Sequence, residues 1–522
     1  LSLRVPVQGR ASVTQGSARE WSRAVVRLRD AGLVDLVPVA EFEAAGGIVN
    51  GVFSVPKDAD LDRFIVNAVS SNENQWPPDK VVLPQVDIWS RLVAPPGERV
   101  LVGKCDLADF YHTISLPVHL RRLFGLPSVD GEALGLGPGR FRPVCSTLPM
   151  GWSHSVLIAQ AAHRRLIFDI PGFDPADEIT ADNDMRLDRV RFLTYIDDLV
   201  FFVPESCKEE GDALMKRYVE AVRDFGWKIK DSKVTPLTLD PVRVLGYEVS
   251  GASLTITPEP TALGGVMAAT GRLLEKGRAC GPGLSELVGS WIWMLLLRRS
   301  TLSVLSANTF DFAAKVFASR SPVALPKVVA DELRMLMALA PLLRVSMADG
   351  WDDHLFATDA STAGCGVVST TLPPGQGAEL LRFHGWTVSR DPRATTQAAV
   401  VYAEAVQRGV DWGWGSMLWK TLVSHAWGTA QHINRLEFAA LNTTVRRAVS
   451  GGAVSVRLPV LSDSSVVIGA ATKGRSGPLL RPCRVLGALL LASDLTLILV
   501  FVPTEQNPAD PPSRGSKGFS WG

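Results

Sequence analysis

Phe192-Leu193-Thr194-Tyr195-Ile196-Asp197-Asp198-Leu199-Val200-Phe201-Phe202 sets two adjacent acids between two apolar, β-prone runs. The pattern predicts a hairpin with Asp197 and Asp198 at its tip. Neighbouring carboxylates repel, and one takes up a proton unless a cation sits beside them. A hard divalent cation with oxygen ligands supplies that charge. An Asp-Asp β-turn on a surface hairpin is the plainer alternative, and the pair alone does not decide between the two.

Other residues in the same half extend the pattern. Leu101-Val102-Gly103-Lys104-Cys105-Asp106-Leu107-Ala108-Asp109-Phe110-Tyr111 reads as a strand ending in Asp106, then a turn for which Asp109 suits. A third acid on a neighbouring strand completes a two-metal site for in-line displacement at phosphorus. Leu148-Pro149-Met150-Gly151-Trp152-Ser153 is a turn leading into a helix predicted over Ser155–Ile167.

A second set of acids lies in the C-terminal third. Asp359 sits on a predicted strand before a Gly-marked turn or bulge, Phe356 to Val367. Glu437 falls on the inner face of the amphipathic helix opened by Asn434-Arg435-Leu436. Asp463 ends the strand Val460-Leu461-Ser462, and Asp510 stands in Asn507-Pro508-Ala509-Asp510. Any one of these could be a cap or a surface acid. Four on strand ends and helices can bind two Mg²⁺ ions.

Bulk properties set limits. The chain has 522 residues, 46% hydrophobic and 20% charged, enough for several buried cores. Its net charge of +1 does not announce a nucleic-acid partner. Lys+Arg against Asp+Glu runs 29 to 34 over residues 1–250, 10 to 7 over 251–350 and 15 to 12 over 351–522, so the later part is mildly basic. Asp174, Asp177, Glu178, Asp182, Asp184 and Asp188 read as a solvated loop. The six cysteines form no CxxC, which argues against a zinc site and a disulfide scaffold and suits an intracellular compartment, cytoplasm or nucleus. Val485 to Val502 is apolar but broken by Ser493 and Asp494, so it reads as helix then strand rather than a membrane span. A start at Leu1 rather than Met reads as a piece of a longer product.

The order of these motifs resembles the palm of reverse transcriptases: the Asp106 strand, the Leu-Pro-x-Gly turn, the Tyr-x-Asp-Asp hairpin. Further matches surround them. Gly51 to Lys57, Arg63 to Asn67 and Asn72 resemble the fingers segment, where Lys57 and Arg63 would hold the incoming triphosphate. Phe225-Gly226-Trp227 with Lys233 resembles the segment that brings a lysine near the pyrophosphate. Val244-Leu245-Gly246-Tyr247-Glu248 resembles the primer grip. Tyr111, five residues after Asp106, stands where the family has a steric gate against the ribose 2′-hydroxyl; a core tyrosine is the alternative. Met150 and Gly151 would border the nucleotide, with Met150 making that contact apolar. Asp359, Glu437, Asp463 and Asp510 together resemble RNase H, although no histidine precedes Asp510 in Val502 to Asn507. Lys473-Gly474-Arg475-Ser476 and Asn507-Pro-Ala-Asp-Pro-Pro-Ser-Arg514 are most similar to DIRS-type retroelements.

The resemblance implies an α+β / α/β multidomain chain, a right-hand polymerase followed by an RNase H-like domain. Residues 1–45 would be an N-terminal extension, 46–250 fingers and palm, 251–345 a helical thumb/connection, 346–516 the RNase H-like domain and 517–522 a tail. Residues 367–430 would be a long insertion. The implied cofactor is Mg²⁺, two per site, with Mn²⁺ as substitute. The implied partners are an RNA template, a DNA primer, the RNA/DNA hybrid, dNTPs and other retroelement-encoded proteins, with no membrane. A non-catalytic nucleic-acid scaffold on the same folds and an inactive genomic copy are the rival readings.

Overall fold

The computed structural model describes residues 17–56, 62–79, 81, 83–84, 86–180, 183, 185–305, 308–381 and 417–515. At its centre is a four-stranded antiparallel sheet in the order Arg191–Tyr195, Asp198–Pro204, Val100–Asp106, Thr235–Thr238. The expected hairpin and the Asp106 strand are adjacent in it. These strands are apolar at successive positions because both faces are covered. Leu101, Cys105, Leu199, Phe201 and Val203 enter one core with residues of the helices Ser155–Phe168 and Lys208–Asp224. Val100, Val102, Val200 and Phe202 enter a second core on the opposite face.

The N-terminal part differs from the expected extension. Helix Ala18–Asp30 starts with a capping box between Ser17 and Glu20 and buries Trp21 and Val25 in the first core. Strand Val34–Pro38 pairs antiparallel with Arg140–Cys145. Residues 17–45 are therefore part of the same unit as residues 46–250. Their partner strand lies about a hundred residues away, so no local motif marks the pairing. The acidic segment differs too: Glu178 is buried and takes a forked ion pair from Arg164 at 2.7–3.0 Å. Asp182 and Asp184 lie outside the described residues.

Residues 260–345 are mainly helical, as expected, with helices Pro260–Lys276, Gly281–Leu295, Thr309–Val316 and Lys327–Leu339 around Trp291 and Leu333. Strand Val345–Ser346 pairs back onto Thr255–Pro258, so the boundary expected at 345/346 falls a few residues later.

The C-terminal sheet begins at Gly350–Trp351. Its order is Lys420–Ala426, Gly364–Thr371, His354–Ala360, Val456–Ser462, Thr496–Phe501. The first three run antiparallel, and the last two are parallel to His354–Ala360. Gly350–Trp351 continues alongside Val456–Ser462. The expected insertion narrows, because 367–371 and 420–426 are sheet strands; residues 382–416 lie outside the described residues. The Val485–Val502 segment is the end of helix Leu480–Ala492 and strand Thr496–Phe501. Among the described residues, no helix is long and apolar enough to cross a membrane.

The C-terminal sheet does not have a core of its own on both faces. Phe356, Val460 and Leu499 face helix Ile433–Ser450 and helix Leu480–Ala492. Leu355, Ala357, Leu461, Ile498 and Val500 belong instead to the second core, with Trp89, Val102, Phe202 and Tyr247. Three arginines stitch this junction. Arg457, 0% exposed, donates to Leu92 O at 2.6 Å and to Ser346 O at 3.3 Å. Arg298 donates to Leu495 O at 3.0 Å and pairs with Asp494. Arg484 donates to Ser303 O and Val304 O and pairs with Glu332 at 2.6 Å. Removing a buried donor strands the carbonyls it served. Arg457→Met should therefore destabilise the whole chain by about 3 kcal/mol, read as one cooperative transition in urea. Loss of the C-terminal sheet first, with the central sheet intact, would show that the shared core does not couple them.

Candidate active sites

Antiparallel register sets Asp106 directly opposite Asp198, and Tyr195 opposite Asp198 across the hairpin. Asp197 sits in the two-residue turn, and its carbonyl accepts from Leu107 N–H at 2.9 Å. All three predicted acids thus meet at one sheet end. Two lysines neutralise them in part. Lys233 Nζ donates to Asp106 Oδ2 at 2.8 Å, and Lys104 Nζ lies 2.9 Å from Asp198 Oδ1. Burial, then the Asp198 charge, pushes Asp197 up to about 6. Burial also raises Asp198, and Lys104 opposes it. A site that strains to stay ionised fits a cation. Lys104 was not foreseen; its signal is its place two residues before Asp106, on the same strand face.

The remaining predicted residues fall around this end. Tyr111, in the short helix Phe110–Thr113, is half-buried, and burial together with Asp197 and Tyr195 pushes its hydroxyl up to about 12. Asp109 takes the left-handed turn before that helix, φ +48°. Gly151 has φ +112°, and a Cβ there would stand 2.1 Å from Val66 O, so only glycine fits. Met150 O accepts from Val66 N–H at 3.0 Å. Asn72 bridges the turn, donating to Gly151 O at 3.1 Å and accepting from Ser153 N–H at 3.0 Å. Arg63 is exposed on the hairpin Gly51–Pro56/Asp62–Asn67. Lys57 lies outside the described residues. Leu245, φ +49°, and Gly246 form the turn between Val242–Val244 and Tyr247–Ser250. Trp293 fixes it: Nε1 donates to Leu245 O at 3.2 Å, and its carbonyl accepts from the Tyr247 hydroxyl. Nothing in the apolar run around Trp293 signals that role.

In the C-terminal sheet Asp359, Glu437 and Asp463 bring carboxylate oxygens within 4.8 Å of one another. Asp510 lies beyond that cluster, yet its charge raises both Asp359 and Glu437. Asp510 opens the short helix Asp510–Ser513, where Arg514 forks onto it at 2.8–3.0 Å. That helix presses on strand Gly364–Thr371, and a Cβ on Gly366 would stand 2.3 Å from Ala509 O. Here the Gly-x-Gly element serves close packing. Asn507, buried, donates to Thr358 O and to Asp463 Oδ1, both at 3.2 Å, and was not assigned a role in advance. Burial, then Asp359 and Asp463, pushes Glu437 up to about 8, and its Oε2 is buried with no hydrogen-bond partner. Unlike the first site, no lysine enters among the described residues. An orphaned carboxylate oxygen beside a buried Asp359 and a half-buried Asp463 fits a divalent ion.

Residues 60–249 match the sequence model of the family described as reverse transcriptase (RNA-dependent DNA polymerase). These residues are a reverse transcriptase domain. No curated protein matches the chain in sequence. Among solved structures, it is similar to the foamy viral protease-reverse transcriptase dRH in complex with double-stranded DNA, at 11% identity and a TM-score of 0.46, over 95% of this chain and 72% of that one.

Glu437 gives a pH signature. Its folded-state pKa of about 8 lies above the ordinary 4.5, so the folded chain keeps a proton that the unfolded chain releases. Without metal, stability should fall as pH rises from about 5 to 8. Glu437→Gln should flatten that slope, and added Mg²⁺ should raise the melting temperature by several degrees, more at pH 8 than at pH 6. Thermal melts in EDTA and in Mg²⁺ measure both.

Proposed function

We infer that this chain is an RNA-directed, and also DNA-directed, DNA polymerase of a retrotransposon that copies RNA into DNA by two-metal nucleotidyl transfer. We further infer that its C-terminal domain cleaves the RNA strand of the resulting hybrid. The observation that carries the first reading is the convergence of Asp106, Asp197 and Asp198 within the reverse transcriptase domain. The second is supported by the sheet order, three antiparallel strands then two parallel ones, with Asp359, Glu437 and Asp463 clustered at it. DIRS-type origin rests on the Lys473 to Ser476 and Asn507 to Arg514 motifs.

The three polymerase acids would hold Mg²⁺, with Mn²⁺ as substitute; Asp359, Glu437, Asp463 and Asp510 would hold the second pair. Bound ions would supply charge stabilisation at phosphorus and a more acidic attacking hydroxyl or water. The chain's own residues do the rest. Lys233, half-exposed, can turn from Asp106 to a triphosphate. Lys57 and Arg63 would grip that triphosphate from the fingers. The Tyr111 ring, beside Asp197, would exclude a ribose 2′-hydroxyl. Gly151 and Met150 would border the base pair, and Leu245-Gly246 would seat the primer. An RNA template, a DNA primer and dNTPs are the substrates. Hybrid recognition would go through backbone shape and 2′-hydroxyls. A scaffold without catalysis has no use for two such sets of three acids, with Asp510 close enough for its charge to act on the second.

Primer extension on an RNA template with Mg²⁺, beside cleavage of a preformed hybrid, tests both readings. Asp197→Asn should lower extension by a hundredfold or more, roughly 2.7 kcal/mol of barrier, and leave cleavage near normal. Asp463→Asn should do the reverse. Each metal pair would be held by its own local carboxylates, so the shared core would not merge the chemistry. Loss of both activities from either change, in folded protein, would refute two separate sites.

Tyr111→Ala should admit ribonucleotides, raising rNTP use relative to dNTP by tenfold or more in competition, about 1.4 kcal/mol. Unchanged discrimination would leave Tyr111 a packing residue.

A further inference from the structure

The turn that carries Asp197 is bent against the preference of its own residue. Ile196 has φ +54°, a left-handed conformation that a β-branched side chain avoids. Helix Ser155–Phe168 holds both of its main-chain groups. Gln160 Oε1 accepts from Ile196 N–H at 2.6 Å, while Gln160 Nε2 donates to Thr194 O at 3.0 Å. One helical turn further on, His163 Nδ1 lies 2.7 Å from Ile196 O, and its Nε2 lies 2.8 Å from the Tyr218 hydroxyl.

The direction of this chain of bonds follows from chemistry. A carbonyl can only accept, so Nδ1 carries the proton and donates to Ile196 O. His163 is 0% exposed, and burial pushes its pKa down to about 4, so the ring is neutral near pH 7. Nε2 is then an acceptor, and the Tyr218 hydroxyl must donate to it. Tyr218, also 0% exposed, comes from a different helix, Lys208–Asp224. Its hydroxyl thus selects the imidazole tautomer that bonds the turn. Phe110, four residues after Asp106, packs its ring edge-on to His163 with centroids 5.6 Å apart. Apolar packing alone does not call for a fully buried His-Tyr pair, whereas the bonds it makes to the turn do.

We propose that His163 and Tyr218 are positioning residues for nucleotidyl transfer, holding Ile196 left-handed and so fixing where Asp197 directs its carboxylate. The proposal rests on the polymerase reading of the site. Neither residue touches substrate; each acts through the main chain of the turn. Loss of the pair lets Ile196 relax toward an ordinary conformation, and a shift of an ångström at a reacting centre is enough to slow chemistry strongly.

The test is a double-mutant cycle on the full chain, read by single-nucleotide extension. His163→Leu should lower kcat at least tenfold while KM for the dNTP stays within about twofold. His163→Asn, whose amide can donate to Ile196 O, should recover most of that loss. On an Ile196→Gly background a positive φ carries no steric penalty, so the same His163→Leu change should cost less than about threefold. Equal penalties on both backgrounds, or equal losses for Leu and Asn, would overturn the proposal in favour of plain packing. Should His163→Leu fail to fold, Tyr218→Phe keeps the ring, removes one oxygen and carries the same cycle. Failure of the polymerase reading is distinguishable, because the unmutated chain would then not extend a primer, or Asp197→Asn would not matter.

Discussion

Mutual repulsion among carboxylates at the end of one antiparallel sheet is the constraint around which the first site is built. Register alone brings Asp106 opposite Asp198. Keeping the two there, with Asp197 beside them, requires compensating charge and a rigid frame. Lys104 and Lys233 supply the charge. The frame comes from burying both faces of the sheet and from binding the turn at Ile196 through its N–H and its C=O. Asn72 and Trp293 do the same for the neighbouring turns at Gly151 and Leu245, each through main-chain contacts.

The second site meets the same repulsion differently. No lysine reaches Asp359, Glu437 and Asp463 among the described residues, and the Arg514 guanidinium is turned onto the outlying Asp510. Burial without a resident cation leaves proton uptake as the remaining relief, and it falls chiefly on Glu437. The two sites therefore meet the charge of their acids in different ways, the first with lysines and the second with a retained proton.

The two halves are joined more closely than a chain of independent domains. Ile498 and Val500 of the C-terminal sheet share a core with Val102 and Phe202 of the reverse transcriptase domain, and the buried Arg457 bonds to main-chain oxygens across the seam. A single guanidinium nitrogen, Nη2, serves both carbonyls. The glycine at 474 has a related role at the connection. A Cβ there would stand 1.8 Å from Arg299 O. The Lys473 to Ser476 segment is thus part of the contact between the C-terminal sheet and the helical region.

The sequence by itself determined the acids and their local settings. An alternating or continuous apolar run with a charged tip is a local signal, so the 192–202 hairpin, the Asp106 strand, the helix at 155 and the helix-strand pair at 480–501 were legible within a few residues. The close-packed Gly151 turn was legible too, because a special backbone demands a special residue. Pairings over long separations were not. Strand Val34–Pro38 belongs beside Arg140–Cys145, and strands 367–371 and 420–426 close a sheet across a segment that reads as an insertion. Glu178 looked solvated because its partner Arg164 is on another element. Tertiary structure alone decided that His163 meets Tyr218 beneath Ile196 and that one apolar core serves two sheets. Each of these depends on which faces come together, and a side chain carries no local mark of the face it will meet.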